Sequence, residues 1–544
     1  MKKIIISIAF SIIGLSLSAQ NMYDALKFSQ DNVLGTARTM AMGNAFTALG
    51  GDIGSIHINP AGSSVSNYSV IAISPSLSIS SSIAQGTPLG NSNNPYSFEN
   101  RRKSNYTDYS TATAGILFNF KTYQKRGIKS IAIGYSQSTS YDYSDQLYAS
   151  GTNSLTSITV AMATAANGID KVDFENNDAY DYNPWSSVLG WDARIFDPLD
   201  NLTNEYVGTA ENWTKESEGK YDIGLGGELN QTYIRRVNGS KKDRVFNLGF
   251  NINDRIFIGA NLGVNAINYD YVDVFSEEAQ EPSLFQTGYQ SLKYQYKYDA
   301  SGVGVYGKFG VIAIPAPGLR IGGAIKTVTS TYITEHWYEE ASTTFSDPKN
   351  NSDAETPEGE YSYKLISPYS FNLGLAYTFG NLGLISFDYE LTDYKTMKLK
   401  SSDSWDDLTE FSDVNDQIQG LVSNANFMGV SHNIKAGIEI KPTTCLALRA
   451  GYGLITSPER FYNEFDEVES IKSNLSNFSF GLGYNSNDSF FVDIAAKRTK
   501  YSKEYIMPYD DYLFTDSGNV DIFSPEILNK KSLWNLVMTL GFKF

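Results

Sequence analysis

From residue 534 to residue 544 the chain alternates with a period of two. Trp534, Leu536, Met538, Leu540, Phe542 and Phe544 fall on one face; Asn535, Val537, Thr539, Gly541 and Lys543 fall on the other. That spacing predicts a strand with one apolar face. The pattern recurs upstream. Ile256, Ile258, Ala260, Leu262 and Val264 alternate with Phe257, Gly259, Asn261, Gly263 and Asn265. Phe371, Leu373, Leu375 and Tyr377 alternate with Asn372, Gly374, Ala376 and Thr378, and Leu446, Leu448, Ala450 and Tyr452 with Ala447, Arg449, Gly451 and Gly453. The second face is small or polar each time. Soluble strands average about 5–6 residues, whereas these runs often exceed ~10, the length at which a tilted strand crosses a bilayer.

The connections have their own rhythm. Short turns are predicted near 123–128, 252–254, 315–318, 379–382, 442–444 and 485–489. Long polar stretches lie between them, at about 83–110, 144–242, 275–290, 339–359, 400–429, 458–473 and 506–530. Short and long alternate strictly, as in outer-membrane barrels, and together they join about 14 strands. The predicted fold is all-β: a transmembrane antiparallel β-barrel over 67–544. The stretch 144–242 is too long for a plain loop. It contains a strand-like piece at 221–236 and the aromatic residues Tyr180, Tyr182, Trp185, Trp191 and Phe196. It reads as a folded extracellular excursion, and two further strands within it would give about 16. The aromatic residues are either a capture site for an apolar ligand or the internal core of that excursion.

The segment 20–66 breaks the strand rhythm. Its part 35–62 is crowded with small residues. Ala37, Met40, Ala41, Ala45 and Ala48 stand at near-helical spacing, with Gly50 and Gly51 placed to stop a helix. Asn59, Pro60, Ala61 and Gly62 form a turn signal, in which Pro60 fixes φ and Gly62 admits an unusual backbone angle. A compact non-strand segment ahead of a large barrel predicts an N-terminal plug, or hatch, with Asn59–Gly62 as its gating turn.

Composition adjusts this picture in a few places. Residues 1–19 have the layout of a signal peptide: Lys2 and Lys3, an apolar run over 4–17, and Leu17-Ser18-Ala19 as the cleavage site. Mean hydropathy is negative, −0.28, yet the chain holds 37 Tyr and 30 Phe. A barrel reconciles the two, because only alternate residues meet lipid while aromatic residues gather at the interfaces. The formal net charge of −17 argues against nucleic acid as a partner. It also leaves room for divalent cations linking acidic loops to lipopolysaccharide. The single Cys445 excludes an intramolecular disulfide and a Cys-based metal cluster.

Catalytic chemistry finds little support. His57, His336 and His432 are scattered, with no HExxH, CxxC or GxSxG motif. The glycines at 302–307 lack a following helix and read as strand glycines facing a crowded lumen rather than a phosphate loop. The Asp- and Asn-rich stretch 401–416 lacks calcium-loop spacing. No enzyme activity, metal or cofactor is expected.

Several short motifs carry a resemblance. Ala37-Arg38, Met42-Gly43-Asn44-Ala45-Phe46, Asn59-Pro60-Ala61-Gly62, Phe387-Asp388-Tyr389, Leu448-Arg449-Ala450-Gly451-Tyr452 and the terminal Phe544 together resemble the FadL/TodX family of outer-membrane transport proteins. The resemblance spans nearly the whole chain after residue 19 and is weak over 144–242. It implies a plugged 14-stranded barrel in the outer membrane of a Gram-negative bacterium, carrying long-chain fatty acids or other hydrophobic small molecules inward. It further implies loop capture, lumen binding, hatch rearrangement and lateral release through a gap or kink in the wall, for which Pro75 in the first strand is a candidate. Terminal Phe544 would be read by the barrel-assembly machinery, and outer-membrane lipid would surround the barrel. Some FadL-like barrels serve protein secretion as docking or shuttle components with a similar Asn-Pro-Ala-Gly turn, so that reading stays open. A general polar-solute porin is disfavoured by the hatch.

Overall fold

The structure, a computed structural model, describes residues 21–544 except 89–96, 123, 125, 403–410, 423–424, 463–467, 472, 487–488, 510–511, 514–519 and 523. The signal-peptide expectation for 1–19 lies outside the described residues.

Fourteen antiparallel strands close into a barrel. They are β1 (Val70–Gly86), β2 (Arg102–Lys121), β3 (Ile128–Asp142, continued outward by Asp145–Asn153), β4 (Leu229–Ile252), β5 (Ile256–Ala279), β6 (Tyr289–Ala316) and β7 (Leu319–Lys326, then Thr329–Phe345). The second half comprises β8 (Gly359–Ser367, then Ser370–Thr378), β9 (Gly383–Asp393), β10 (Val430–Ile440), β11 (Leu446–Ile455), β12 (Leu475–Ser486), β13 (Phe490–Ile506) and β14 (Ile527–Lys543). The last strand pairs with the first along Val70↔Lys543 to Gly86↔Ile527, so the sheet has no free edge at its ends. Beyond that ladder, Ser69 and Phe544 exchange backbone hydrogen bonds of 3.0 Å each way.

The alternation read from the sequence sorts the two faces. Ile256, Ile258 and Leu262 on β5, Phe371, Leu373 and Leu375 on β8, and Leu536, Met538 and Phe542 on β14 are exposed on the outside, while Gly259, Asn261, Asn265, Asn372 and Asn535 point into the lumen. An outward apolar belt over a polar interior is what a bilayer demands of a barrel.

The wall is lopsided. Strands β4, β5 and β6 run 24, 24 and 28 residues, whereas β10, β11 and β12 run 11, 10 and 12. About 9–11 residues cross a membrane, so the tall side stands well clear of it. There it carries the excursion, which spans 154–228 because strand residues occupy 145–153 and 229–242. The excursion holds α4 (Ile158–Ala166), α5 (Lys171–Phe174), α6 (Ala179–Tyr182) and α7 (Trp185–Asp192), plus two short hairpins whose strands pair only with each other. It adds no barrel strand, and the count stays at 14 rather than 16.

Residues 21–66 hold no strand. They form α1 (Met22–Ser29), α2 (Ala37–Ala41), α3 (Ser55–Ile58) and a 3-10 helix, Pro60–Val65, packed against the inner wall. Helix α2 is shorter than the small-residue spacing predicts. Gly43 (φ 64°) and Asn44 (φ 58°) are both left-handed and end it at once, well before Gly50 and Gly51.

Candidate functional site: the plug and its seat

Helix α1 starts at an Asn21 capping box, in which the Asn21 Oδ1 accepts from the Tyr23 and Asp24 backbone amides at 2.8 and 3.1 Å. Its apolar face, Met22, Ala25, Leu26 and Phe28, is buried in an aromatic chamber of the lumen. Phe28 meets Tyr143 and Tyr269 edge-on at 6.2 and 5.7 Å, a favoured aromatic arrangement. Past α1, Asp31 sits between two wall lysines, with Lys241 Nζ at 2.6 Å and Lys326 Nζ at 2.8 Å. Burial by itself would raise the Asp31 carboxyl, but the two ammonium groups outweigh it and hold it well below the usual carboxylate range.

The next residues join the wall directly. The Asn32 amide donates to the Ser140 carbonyl at 2.6 Å and the Leu34 amide to the Thr139 carbonyl at 3.0 Å. Those carbonyls are available because β3 leaves β2 there and bulges against β4, its register shifting between Thr139 and Tyr141. The β2–β3 ladder runs from Lys121↔Ser130 to Thr113↔Ser138 and stops, while β2 continues outward to Arg102 beside β1. Above the break, side chains replace the ladder as far as a single backbone bridge, Asn100↔Ser150: Thr139 Oγ1 donates to the Thr111 carbonyl at 2.9 Å and Ser104 Oγ to the Gln146 carbonyl at 2.6 Å. Pro75 also makes an irregularity, since the β1–β2 register shifts between Ser74 and Pro75. The longer interruption is the one between β2 and β3.

Helix α2 is tied down by charge. Arg38 Nε lies 3.0 Å from Glu439 Oε2 on β10, and Arg449 Nε on β11 lies 2.7 Å from the same oxygen. Arg449 Nη1 also reaches Asp493 Oδ1 on β13 at 2.5 Å. The Glu439 side chain is fully buried, so its charge depends on this pairing. On the next side of the plug, Asp388 Oδ2 accepts from the Thr47 amide at 2.7 Å.

The Asn59–Gly62 turn is stapled by its first residue. Asn59 Oδ1 accepts from the Ala61 amide at 3.0 Å, while Asn59 Nδ2 donates to the carbonyls of Thr47 within the plug at 2.7 Å and of Val311 on β6 at 3.1 Å. Pro60 opens the 3-10 helix, where its missing N–H costs nothing. Gly62 plays a different part from the one its residue type predicts. Its φ is not left-handed; a Cβ there would meet Ser55 Oγ at 2.6 Å and Gly50 Cα at 3.1 Å. His57, next to the turn, is buried; its Nε2 lies 3.0 Å from Ser136 Oγ and its carbonyl accepts from Lys308 at 2.8 Å. Burial, helped by the Lys308 charge, pushes its imidazole down to about 3.

The wall is recessed where the plug touches it. An added Cβ at Gly259 would strike the Pro60 carbonyl, at Gly322 the Thr47 carbonyl, at Gly374 the Ala48 amide, at Gly437 the Met42 carbonyl and at Gly451 the Gly43 amide. These glycines come from β5, β7, β8, β10 and β11. The small residues of 35–62 are thus matched by a glycine track on the facing strands, and the two backbones approach with no side chain between them.

The predicted residues divide in two. Asn59, Pro60, Ala61 and Gly62 come together in the plug seat, and the motif residues Arg38, Asp388, Arg449 and Gly451, far apart in sequence, converge on it. The aromatic residues of the excursion lie elsewhere. Phe196 is 1% exposed and Trp191 stacks on Phe174 at 5.6 Å, both in the excursion's own core. Trp185 Nε1 donates to the Tyr180 carbonyl at 2.9 Å and the Trp185 ring faces Trp337 of β7 at 6.3 Å; Tyr182 is 84% exposed. Lys241, Lys326, Glu439 and Asp31 escaped the sequence reading. Their signal was a charge at a lumen-facing strand position, or a lone acid between two plug helices. Among the described residues no group of His, Cys, Asp or Glu could hold a metal ion.

No family model matches the chain, and neither does any curated protein. Among solved structures, a Pseudomonas aeruginosa FadL homologue is similar at 12% identity and TM-score 0.48, over 94% of this chain and 98% of that one. The P. putida toluene transporter TodX is similar at 11% identity and TM-score 0.49, over 95% and 99%. The Ralstonia pickettii toluene transporter TbuX is similar at 12% and 0.45, over 94% and 99%. Over nearly its whole length the chain is similar to solved structures of a FadL homologue and of toluene transporters.

Proposed function

We propose that the chain is a gated channel of the bacterial outer membrane that takes up hydrophobic small molecules such as long-chain fatty acids. One observation carries this reading: the segment 21–66 packs inside the barrel against strands on several sides, while the wall beside it loses its ladder between β2 and β3. A watery pore needs an open axis. An apolar cargo gains about 25 cal/mol per Å² by staying out of water, so a side exit into the bilayer suits it and an axial one does not. On this reading the extracellular rim, including Tyr182 and Trp185, captures the cargo and the aromatic chamber around α1 holds it. The segment 30–34 rearranges, and cargo leaves past β2 and β3. Outer-membrane lipid and lipopolysaccharide surround the barrel, and Phe544 serves its assembly.

Uptake of a radiolabelled long-chain fatty acid by cells with and without this chain tests the reading. Deletion should abolish the chain-dependent uptake, and joining β2 to β3 by a disulfide above the break should do the same until it is reduced. Full uptake with the disulfide closed would overturn lateral release. Undiminished uptake on deletion, with secreted proteins retained, would favour the docking or shuttle role.

A further inference from the structure

The plug segment ahead of the gating turn has an unusual composition for its surroundings. Residues 22–28 place an apolar helix face against Tyr143, Tyr269, Tyr363 and Met397. Three residues later the same segment places a carboxylate, Asp31, on Lys241 and Lys326. Asp24 and Lys27 pair with each other at 2.9 Å, so the segment presents an apolar face followed by the anionic head of Asp31, fitted into a chamber with an aromatic part and a cationic part.

The cationic part is larger than Asp31 needs. The two cavities beside it are lined by Lys241, Lys308, Lys326, Lys435 and Lys497, against Asp31, Asp243 and Glu390. Lys435 is paired with Glu390 at 2.7 Å. The plug supplies acceptors to the other four: Asp31 to Lys241 and Lys326, the His57 carbonyl to Lys308 and Asn32 Oδ1 to Lys497 at 3.3 Å. If the segment withdrew, five lining lysines would face two lining carboxylates in a site shielded from water, where an uncompensated charge is costly. The unfilled space left beside the docked segment is only about 30 and 60 Å³, against a few hundred Å³ for a typical ligand pocket.

Resting on the uptake reading above, we propose that residues 22–31 are an internal competitor for the cargo site. An amphiphile with an anionic head takes the place of Asp31 at Lys241 and Lys326, and its apolar body takes the place of the α1 face. Binding of such a cargo and undocking of the segment are then one exchange, in which each buried ammonium trades one carboxylate for another. A neutral apolar molecule would displace α1 but leave the lysines uncompensated.

The purified full chain in lipid nanodiscs, its folding checked by heat-modifiable gel migration, supplies the test. The probes are a dansyl-tagged long-chain fatty acid and the same chain ending in a neutral hydroxyl. Wild type should prefer the acid. Asp31→Asn should bind the acid roughly tenfold more tightly, because a competing docked state lowers apparent affinity in proportion to its population. Lys326→Gln should lose the preference for acid over alcohol. An Asp31→Asn affinity equal to or weaker than wild type, or a preference that survives Lys326→Gln, would overturn the exchange while leaving the uptake reading standing. Absence of binding of either probe to any variant would overturn both.

Discussion

Arg38 and Glu439, 401 residues apart, are joined by two hydrogen bonds of 3.0 and 3.3 Å between the plug and strand β10. Arg449 shares the same carboxylate, so Glu439 is the common counter-ion of a plug residue and a wall residue. Glu439→Ala leaves both guanidinium groups without it. Removing one member of a buried pair costs about 3–5 kcal/mol, and that loss falls on plug docking. In planar bilayers the variant should pass ions in frequent openings where wild type is silent.

Asn59→Ala removes the acceptor for the Ala61 amide and the donor to Thr47 and Val311. A buried group left unsatisfied costs roughly 1–3 kcal/mol. Hydrogen exchange of amides in 44–64 should speed up by about a factor of ten or more, since ~1.4 kcal/mol is tenfold, while amides of the β12–β13 ladder stay protected.

Gly451→Val tests the glycine track. Even a Cβ at this position runs into the backbone of Met42 and Gly43, which cannot give way as a side-chain tip can. The barrel should still assemble, because the substitution suits a strand. The plug should not seat, and limited proteolysis should cleave between 30 and 50. A protected plug in a folded Gly451→Val barrel would mean that the fit is looser than the backbone approach implies.

The plug should loosen in acid in two stages. His57 is held neutral in its seat, its imidazole lowered to about 3 from an ordinary 6.5, by burial and then by Lys308. The undocked state therefore binds the extra proton between those values. Docking keeps its full strength above pH 6.5 and weakens by about 1.4 kcal/mol per pH unit below it. Asp31 has its carboxyl lowered in the seat from 3.8, so its contribution is present above that value and fades below it. Channel opening against pH should rise from about 6.5 downward. His57→Gln should remove that first stage and leave only the rise below about 4.

Much of the barrel was legible because a strand's periodicity is local. Alternation over 256–265 or 534–544 follows from the pleat alone, and the starts read near 67, 319, 383 and 430 fall close to Val70, Leu319, Gly383 and Val430. The small-residue character of 35–62 likewise marked a segment that packs backbone to backbone. The excursion was harder. Its length was visible, but whether Trp191 and Phe196 face a ligand or one another depends on which helix folds over which, and no spacing encodes that.

By itself the sequence determined which residues face outward, that a wall of about 14 strands forms, with 16 left open, and that one segment is no strand; each is set by neighbours a few positions apart. Only the tertiary structure decided that Arg38 meets Glu439, that Asp31 lies between Lys241 and Lys326, that glycines of five strands form one track, and that β3 abandons β2 at Ser138 and offers its carbonyls to Asn32 and Leu34. These contacts join residues up to 401 positions apart. They exist only once β14 pairs with β1 and the closed sheet brings its inward side chains around a common axis.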